Sequence, residues 1–186
     1  MSDSLTHDAE THFEFGKNWA RYSQTITDDD IAIAEKKLSS FLGIDNLRSK
    51  TFLDIGCGSG IHALAALRLG AKAVRAVDID QDAVATAKAV ISSRWNEPNF
   101  TIEPANIFEL STDDIGQFDI VYSWGVLHHT GDMWTAIRRA SEFVTPGGVF
   151  SIAIYRKTRF CGFWRWEKER YARSGKLYRG PVVATY

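Results

Sequence analysis

This sequence has little cysteine and no long apolar run. The chain of 186 residues contains two cysteines, too few for the disulfide framework of a small secreted protein. Nowhere do about eighteen apolar residues follow one another, as a membrane-spanning helix requires. Residues 1–15 are polar and acidic and have no apolar stretch of the kind found in secretion signals. We therefore expect a cytoplasmic protein without stable membrane insertion.

The sequence also lacks an excess of charge of either sign. Its 22 Lys and Arg residues nearly balance its 23 Asp and Glu residues. A balanced surface produces no long-range field that would attract nucleic acid or anionic lipid. We expect no nucleic-acid partner. The length suits a single domain, 1–186, which we expect to be a monomer or a homodimer.

Strand and helix patterns alternate between residues 51 and 155. Strands are predicted at 51–55, 73–78, 100–104, 118–123 and 149–155, helices at 61–69, 81–93 and 132–143, and a turn at 146–148. Strands that alternate with helices of about ten residues form parallel sheets through right-handed crossovers. The pattern predicts an α/β protein with a Rossmann-like, doubly wound, mostly parallel sheet.

Two segments of different character flank this core, 51–155. Residues 1–45 are predicted to form an N-terminal helical cap, in which Thr27 and Asp30 make an acidic capping box and Gly43 ends the helix. Residues 156–186 interleave aromatic and basic side chains. We interpret them as a lid over the functional site, the alternatives being a dimer contact or a helix at a membrane surface.

The segment 52–60 is an apolar strand that runs into a glycine turn, and an acidic pair follows at Asp78 and Asp80. This layout is typical of proteins that hold an adenosine-containing cofactor. A dinucleotide fingerprint would have its last glycine where Ile61 stands. Asp54 would also repel a pyrophosphate, whereas a carboxylate suits a cationic ligand. Both residues disfavour a nicotinamide oxidoreductase.

The acidic form of this turn resembles motif I of the class I S-adenosylmethionine-dependent methyltransferases. Further segments match the family in order, namely Val77-Asp78-Ile79, Ala105-Asn106-Ile107, 118–129 and Pro146-Gly147-Gly148. The resemblance covers roughly residues 51–155 and implies the seven-stranded sheet of that family. Only about thirty residues follow, which leaves open that the last strands of the fold are lacking.

The resemblance implies S-adenosyl-L-methionine as the cofactor. The residues that it assigns to cofactor binding are Asp54, Gly56, Cys57, Gly58, Gly60, Asp78, Ile79, Asn106, Ile107, Ser123 and Trp124. Asp54 is expected to anchor the turn by accepting backbone N–H groups, and Asp78 to accept both ribose hydroxyls. Asp80 is expected to cap the next helix. The alternatives are an ordinary tight turn for the glycines and a local loop contact for Asn106.

Methyl transfer is an in-line displacement, which needs alignment and exclusion of water more than a metal or a covalent nucleophile. We therefore predict no metal site. If the acceptor is a hydroxyl, His128 or His129 would act as the base, although one of these rings is expected to pack or to cap the next helix. Trp19, Tyr22 and Tyr155 are candidate substrate contacts, with a core position as the alternative for the first two.

The run Leu127-His128-His129 resembles the small-molecule, ubiquinone-methylase-like branch of the family. We therefore predict a small organic acceptor that is methylated more readily at oxygen than at nitrogen or carbon. Two alternatives stay open. One is a noncatalytic partner or regulator that binds S-adenosylmethionine. The other is a protein methyltransferase, because the glycine turn also resembles that of ribosomal-protein methylases.

Overall fold

A computed structural model of the chain describes residues 15–155. The described residues up to Ile154 belong to one compact unit. The predicted lid, 156–186, lies outside the described residues, as do residues 1–14 of the predicted cap. The division of the chain into cap, core and lid therefore stays a prediction.

Helices and strands alternate through most of the described chain. In order they are α1 (Phe15–Ser23), α2 (Asp28–Leu42), β1 (Thr51–Ile55), α3 (Ile61–Arg68), β2 (Ala73–Asp78), α4 (Gln81–Ser92), β3 (Phe100–Pro104), α5 (Thr112–Ile115), β4 (Phe118–Trp124), a 3-10 turn (Leu127–His129), α6 (Met133–Glu142) and β5 (Val144–Ala153). The bounds of β1, β2 and β3 are those predicted from the sequence.

The five strands form one parallel sheet in the order β3-β2-β1-β4-β5. The chain steps outward from β1 to β3 and then returns to the other side of β1, so the strand order reverses between β1 and β4. Ligands in such sheets bind beyond the carboxyl ends of the strands at this reversal. The predicted α/β Rossmann-like sheet is confirmed.

Helices cover both faces of the sheet, and each face has its own apolar core. Along β1, Phe52 packs into the cluster formed with α2, α3 and α4, whereas Leu53 packs into the cluster that includes Ala136 and Ala140 of α6. Burial on both faces explains why the central strands are continuous apolar runs. It also fixes the end of β1, from which the glycine turn begins.

Side-chain caps set the helix starts where the sequence predicted them. Thr27 accepts a hydrogen bond from the backbone N–H of Asp30, and the Asp30 carboxylate accepts one from the N–H of Thr27 at 2.9 Å. Gly43 ends α2 with a φ of 68°. Asp80 caps α4 by accepting from the N–H of Asp82 at 2.8 Å. These three predictions are confirmed.

The last strand differs from its prediction. A turn was expected at 146–148 and a strand from 149, but β5 begins at Val144 and contains this segment. The pairing with β4 shifts register between Phe118 and Ile120, which accommodates the extra residues as an irregularity. The helix α5 was also not predicted, and α1 lies within the predicted helical cap, although its bounds were not predicted. Within residues 15–155, no helix has both the length and the apolar character needed to cross a bilayer.

Candidate functional site

The glycine turn after β1 is held to the neighbouring strand by its own backbone. The N–H groups of Gly56 and Cys57 both donate to the carbonyl oxygen of Val77, at 2.8 and 3.1 Å. Gly56, Gly58 and Gly60 have φ values of 78°, 53° and 76°, a conformation that residues with a side chain rarely adopt. The sequence of alternating glycines is therefore what lets the chain turn so sharply from β1 into α3.

Each glycine of the turn also lies against a different part of the protein. A methyl group added at Gly56 would clash with Val126, which follows β4. At Gly58 it would come within 2.7 Å of the indole of Trp19 in α1, and at Gly60 within 2.8 Å of the side chain of Ala87 in α4. The turn is thus a cradle of bare backbone enclosed by three elements, one of which carries the predicted substrate residue Trp19.

Asp78, at the end of β2, reaches across to this turn. One of its carboxylate oxygens accepts the N–H of Gly58 at 2.9 Å, and the other accepts the N–H of Asp80 at 3.0 Å. Burial raises the pKa of Asp78, although these two backbone N–H groups oppose the shift. Because a carboxylate has about four acceptor positions, Asp78 retains lone pairs for the hydroxyls of a ligand.

Asp54 is the most deeply buried charged side chain of the site, with an exposed fraction of 2%. Its predicted role of anchoring the turn is not what the structure shows, because the turn amides donate to Val77 and Asp78 instead. Oδ2 of Asp54 accepts no hydrogen bond from the described residues. Burial, and then the charge of Asp78, raise the pKa of Asp54 to about 7. A cationic ligand would supply the opposite charge that this buried carboxyl lacks.

Three other residues assigned to cofactor binding have side chains directed into the protein. Cys57 is a free, buried thiol whose pKa is raised by burial and by Asp54 and Asp78, so it stays protonated. Ser123 donates to the carbonyl of Ile55 at 2.8 Å and so ties β4 to β1. Ile107 is part of the apolar core. Any contact of these residues with a ligand would come mainly from their backbone.

The two residues predicted to contact an adenine ring differ in how free their side chains are to bind a ligand. Ile79 follows Asp78 and is 61% exposed, as a platform for a flat ring would be. The amide oxygen of Asn106 accepts the N–H of Phe108, and its amide nitrogen donates to Glu109, both at 3.1 Å. This is the local loop contact that the sequence left as the alternative, and the adenine contact of Asn106 stays a prediction.

The two predicted catalytic histidines lie against each other in the 3-10 turn after β4, with ring centroids 4.0 Å apart and the ring planes tilted by 43°. Both ring nitrogens of His128 are buried, and burial together with His129 lowers its pKa. His129 is exposed. The preceding residue Val126 packs on Gly56, so the histidine turn adjoins the glycine turn.

An aromatic cluster next to the turn was predicted as part of the site only at Trp124. It consists of Phe41 from α2, His62 from α3, and Tyr122 and Trp124 from β4, with ring centroids 5.0 Å apart for Phe41 and Trp124 and 5.3 Å for His62 and Tyr122. Burial, and then Lys37, lower the pKa of His62 to about 4, so this ring is neutral. Phe41 and Trp124 are 41% and 44% exposed. The signal in the sequence was the two-residue spacing on β4, which puts Tyr122 and Trp124 on one face.

The remaining predicted substrate residues lie at the surface. Tyr22 is 40% exposed and makes an edge-to-face contact with Trp19, whereas Tyr155 is 67% exposed. Among residues 15–155, no three metal-ligating side chains are grouped together.

Residues 53–152 match the family model described as "Methyltransferase domain". The chain is 31% identical over 108 residues to "Ubiquinone biosynthesis O-methyltransferase" of Caulobacter vibrioides, covering 58% of this chain and 42% of that protein. It is 35% identical over 111 residues to "Ribosomal protein L11 methyltransferase" of Pasteurella multocida, covering 58% of this chain and 34% of that protein. The chain therefore spans less than half of the length of these curated relatives.

Solved structures agree with the family model. An S-adenosylmethionine-dependent methyltransferase from Mesorhizobium loti superimposes with a TM-score of 0.53 and 27% identity, over 65% of this chain and 53% of that one. A Geobacter sulfurreducens methyltransferase in complex with S-adenosyl-L-homocysteine shares the fold, with a TM-score of 0.54 and 20% identity, over 68% of this chain and 48% of that one. Since the family model covers more than half of the sequence, the chain belongs to the class I S-adenosylmethionine-dependent methyltransferases.

Proposed function

We propose that this protein transfers a methyl group from S-adenosyl-L-methionine to a hydroxyl of a small organic acceptor. The observation that carries the proposal is the buried carboxyl of Asp54 beside a turn of bare glycine backbone. A negative group at this place disfavours a pyrophosphate and favours a cation. When bound, the cofactor supplies a methyl carbon attached to a positively charged sulfur, which leaves as a neutral thioether.

Different residues of the site are proposed to bind different parts of this cofactor. Asp78 accepts the ribose hydroxyls while it holds Gly58, and the exposed Ile79 packs against the adenine ring. Asp54 faces the positive charge. The glycines permit close approach because no Cβ stands between backbone and ligand. In this proposal residues 51–155 form the cofactor-binding core, 1–45 the cap and 156–186 a lid over the acceptor.

The choice of oxygen as the acceptor atom rests on the histidine turn and on the similarity to the Caulobacter O-methyltransferase. A hydroxyl gives up its proton as the methyl group arrives, and a neutral imidazole close to pH 7 is suited to take it. We assign this role to His129 because it is exposed, whereas the ring nitrogens of His128 are buried. Tyr22, Trp19 and Tyr155 are proposed to contact the acceptor.

Replacing His129 by alanine is expected to lower kcat at about pH 7 roughly tenfold or more with a phenol or catechol acceptor. The loss should shrink at high pH, where the hydroxyl ionises unaided, and the KM for the cofactor should not change. Release of S-adenosylhomocysteine measures the rate. His128→Ala is the matched control, expected to lower thermal stability more than kcat. A wild-type pH–rate profile for His129→Ala would show that His129 is not the base.

Calorimetry tests the cofactor assignment directly. We expect S-adenosylhomocysteine to bind at one site and NAD to give no binding heat. Binding of NAD without binding of S-adenosylhomocysteine would contradict the proposed function. An Asp113→Asn variant, which removes an exposed carboxylate of α5, should bind S-adenosylhomocysteine as the wild type does.

A protein substrate is the second candidate, because the chain is 35% identical to a ribosomal-protein methyltransferase over the matched region. Incorporation of labelled methyl groups into ribosomal protein, with none into phenols and catechols, would favour it. Binding of S-adenosylmethionine without transfer to either class would favour the noncatalytic regulator. We further propose a cytoplasmic monomer or homodimer without a nucleic-acid partner, which the balanced charge supports.

A further inference from the structure

Two carboxyl groups lie at the same edge of the sheet, and no cationic side chain among the described residues forms an ion pair with either. Asp54 belongs to β1 and Asp78 ends β2, and these strands are adjacent and in register, with Ile55 beside Val77. The ion pairs formed within residues 15–155 involve neither carboxyl. Asp54 Oδ2 also receives no hydrogen bond from the described residues. A buried carboxylate in such a position is unfavourable unless it is protonated or compensated by a ligand.

Within residues 15–155, the groups that face Asp54 from the surrounding elements are neutral or acidic. Asp78 lies on β2 and is itself close to Asp80 at the start of α4. The thiol of Cys57 in the turn and the hydroxyl of Tyr122 on β4 both have pKa values raised by burial and by Asp54, so both stay protonated. His62 of α3, which contacts Tyr122, is neutral. The described part of the site therefore provides no positive charge for Asp54.

We propose that Asp54 holds a proton in the ligand-free protein and releases it when S-adenosylmethionine binds, so that this residue distinguishes the cationic cofactor from its neutral thioether product. This inference rests on the proposed function. One proton passes from the carboxyl to the buffer, no covalent bond to the ligand forms, and the resulting carboxylate faces the positive sulfur. After methyl transfer that positive charge is gone, and Asp54 takes up a proton again.

The affinity for S-adenosylmethionine should consequently depend on pH. Below about pH 7 the proton must first be removed from Asp54 before the cofactor can bind. Each unit by which the pH falls further raises the free energy that this removal costs. We expect the affinity to rise roughly tenfold from about pH 5.5 to about pH 7. The affinity for S-adenosylhomocysteine should change much less, because its sulfur has no charge for the carboxylate to face.

The experiment is titration calorimetry of the full chain at about pH 6.5 in phosphate and in imidazole buffer, whose ionisation enthalpies differ. The difference in binding heat gives the number of protons released. We expect close to one proton per S-adenosylmethionine and close to none per S-adenosylhomocysteine. Because the two ligands share ribose, adenine, amino and carboxyl groups, subtracting one result from the other isolates the effect of the sulfonium.

An Asp54→Asn variant removes the proton while nearly preserving the shape of the side chain. It should release no proton on binding S-adenosylmethionine, and its preference for the cofactor over the product should be lost. Asp113→Asn should behave like the wild type. If Asp54→Asn does not fold, as thermal melting would show, the proton release of the wild type with the two ligands still tests the role of Asp54.

The possible results separate this inference from the function on which it rests. Binding of S-adenosylmethionine without proton release, or with equal release for both ligands, would overturn the role of Asp54 and leave the proposed function intact. Proton release that persists in Asp54→Asn would overturn it as well. Failure of the wild type to bind either ligand would overturn the proposed function itself.

Discussion

Replacing Gly60 by alanine is expected to lower the free energy of unfolding by about 3 kcal/mol. The positive φ of 76° costs an alanine roughly 1–2 kcal/mol, and the added methyl group would stand 2.8 Å from the Ala87 side chain and 3.0 Å from its Cα atom. The second contact is with the backbone of α4, which cannot turn aside as a flexible side chain can, and such overpacking costs about 1–3 kcal/mol. Urea unfolding followed by circular dichroism measures the change.

Gly43→Ala is the matched control for this experiment. Gly43 has nearly the same backbone conformation, with a φ of 68°, but no atom of the described residues lies within 4 Å of the added methyl group. We expect it to lose only about 1 kcal/mol. Equal losses in the two variants would show that the contact with Ala87 is not the cause.

Replacing Asp78 by alanine is expected to weaken the binding of S-adenosylhomocysteine about a hundredfold, or roughly 3 kcal/mol. Two effects add up in this variant. The ribose hydroxyls lose their proposed acceptor, and the N–H of Gly58 loses the carboxylate that holds the turn in place. Asp78→Asn keeps one acceptor oxygen and should fall between the wild type and the alanine variant. Calorimetry at about pH 7.5 provides the measurement.

Asp80→Ala separates the effect on the ligand from the effect on the helix. Asp80 caps α4, so its loss should lower stability by about 1 kcal/mol, while the ligand affinity should stay within a few-fold of the wild type. The backbone N–H that Asp80 donates to Asp78 is retained in this variant. Wild-type affinity in Asp78→Ala would show that Asp78 does not bind the ribose.

The order of strands and helices was predictable because the local signals agree with one another. Apolar runs, the cap residues Thr27 and Asp80 and the glycine turn fixed β1 to β3 and α2 to α4 within a residue or two. The end of the sheet was not predictable in this way. Pro146 and the glycines after it were predicted to form a turn. In the structure they lie inside β5 as the unpaired residues of a register shift, because Val144 already pairs with Phe118 of β4, which is a tertiary effect.

In the site, too, the features set by local conformation were predictable and those set by tertiary packing were not. The residues that shape the backbone, such as Gly56 and Gly58, were identifiable because a positive φ restricts the choice of residue. What Asp54 does depends instead on which N–H groups lie nearby and how much water reaches it, and neither follows from its position in a motif. Apart from Trp124, the aromatic cluster was missed for a related reason, since its rings meet only when α2, α3 and β4 pack together.

The enclosure of the turn by three elements makes its glycines suitable reporters for nuclear magnetic resonance. Glycine amides occupy a sparsely populated region of a nitrogen–proton spectrum, and each of these three lies against one neighbour: the loop after β4, α1 or α4. A molecule that docks on one of these neighbours should shift one resonance more than the other two. Three peaks could thus locate an acceptor to one side of the pocket before the acceptor itself is identified.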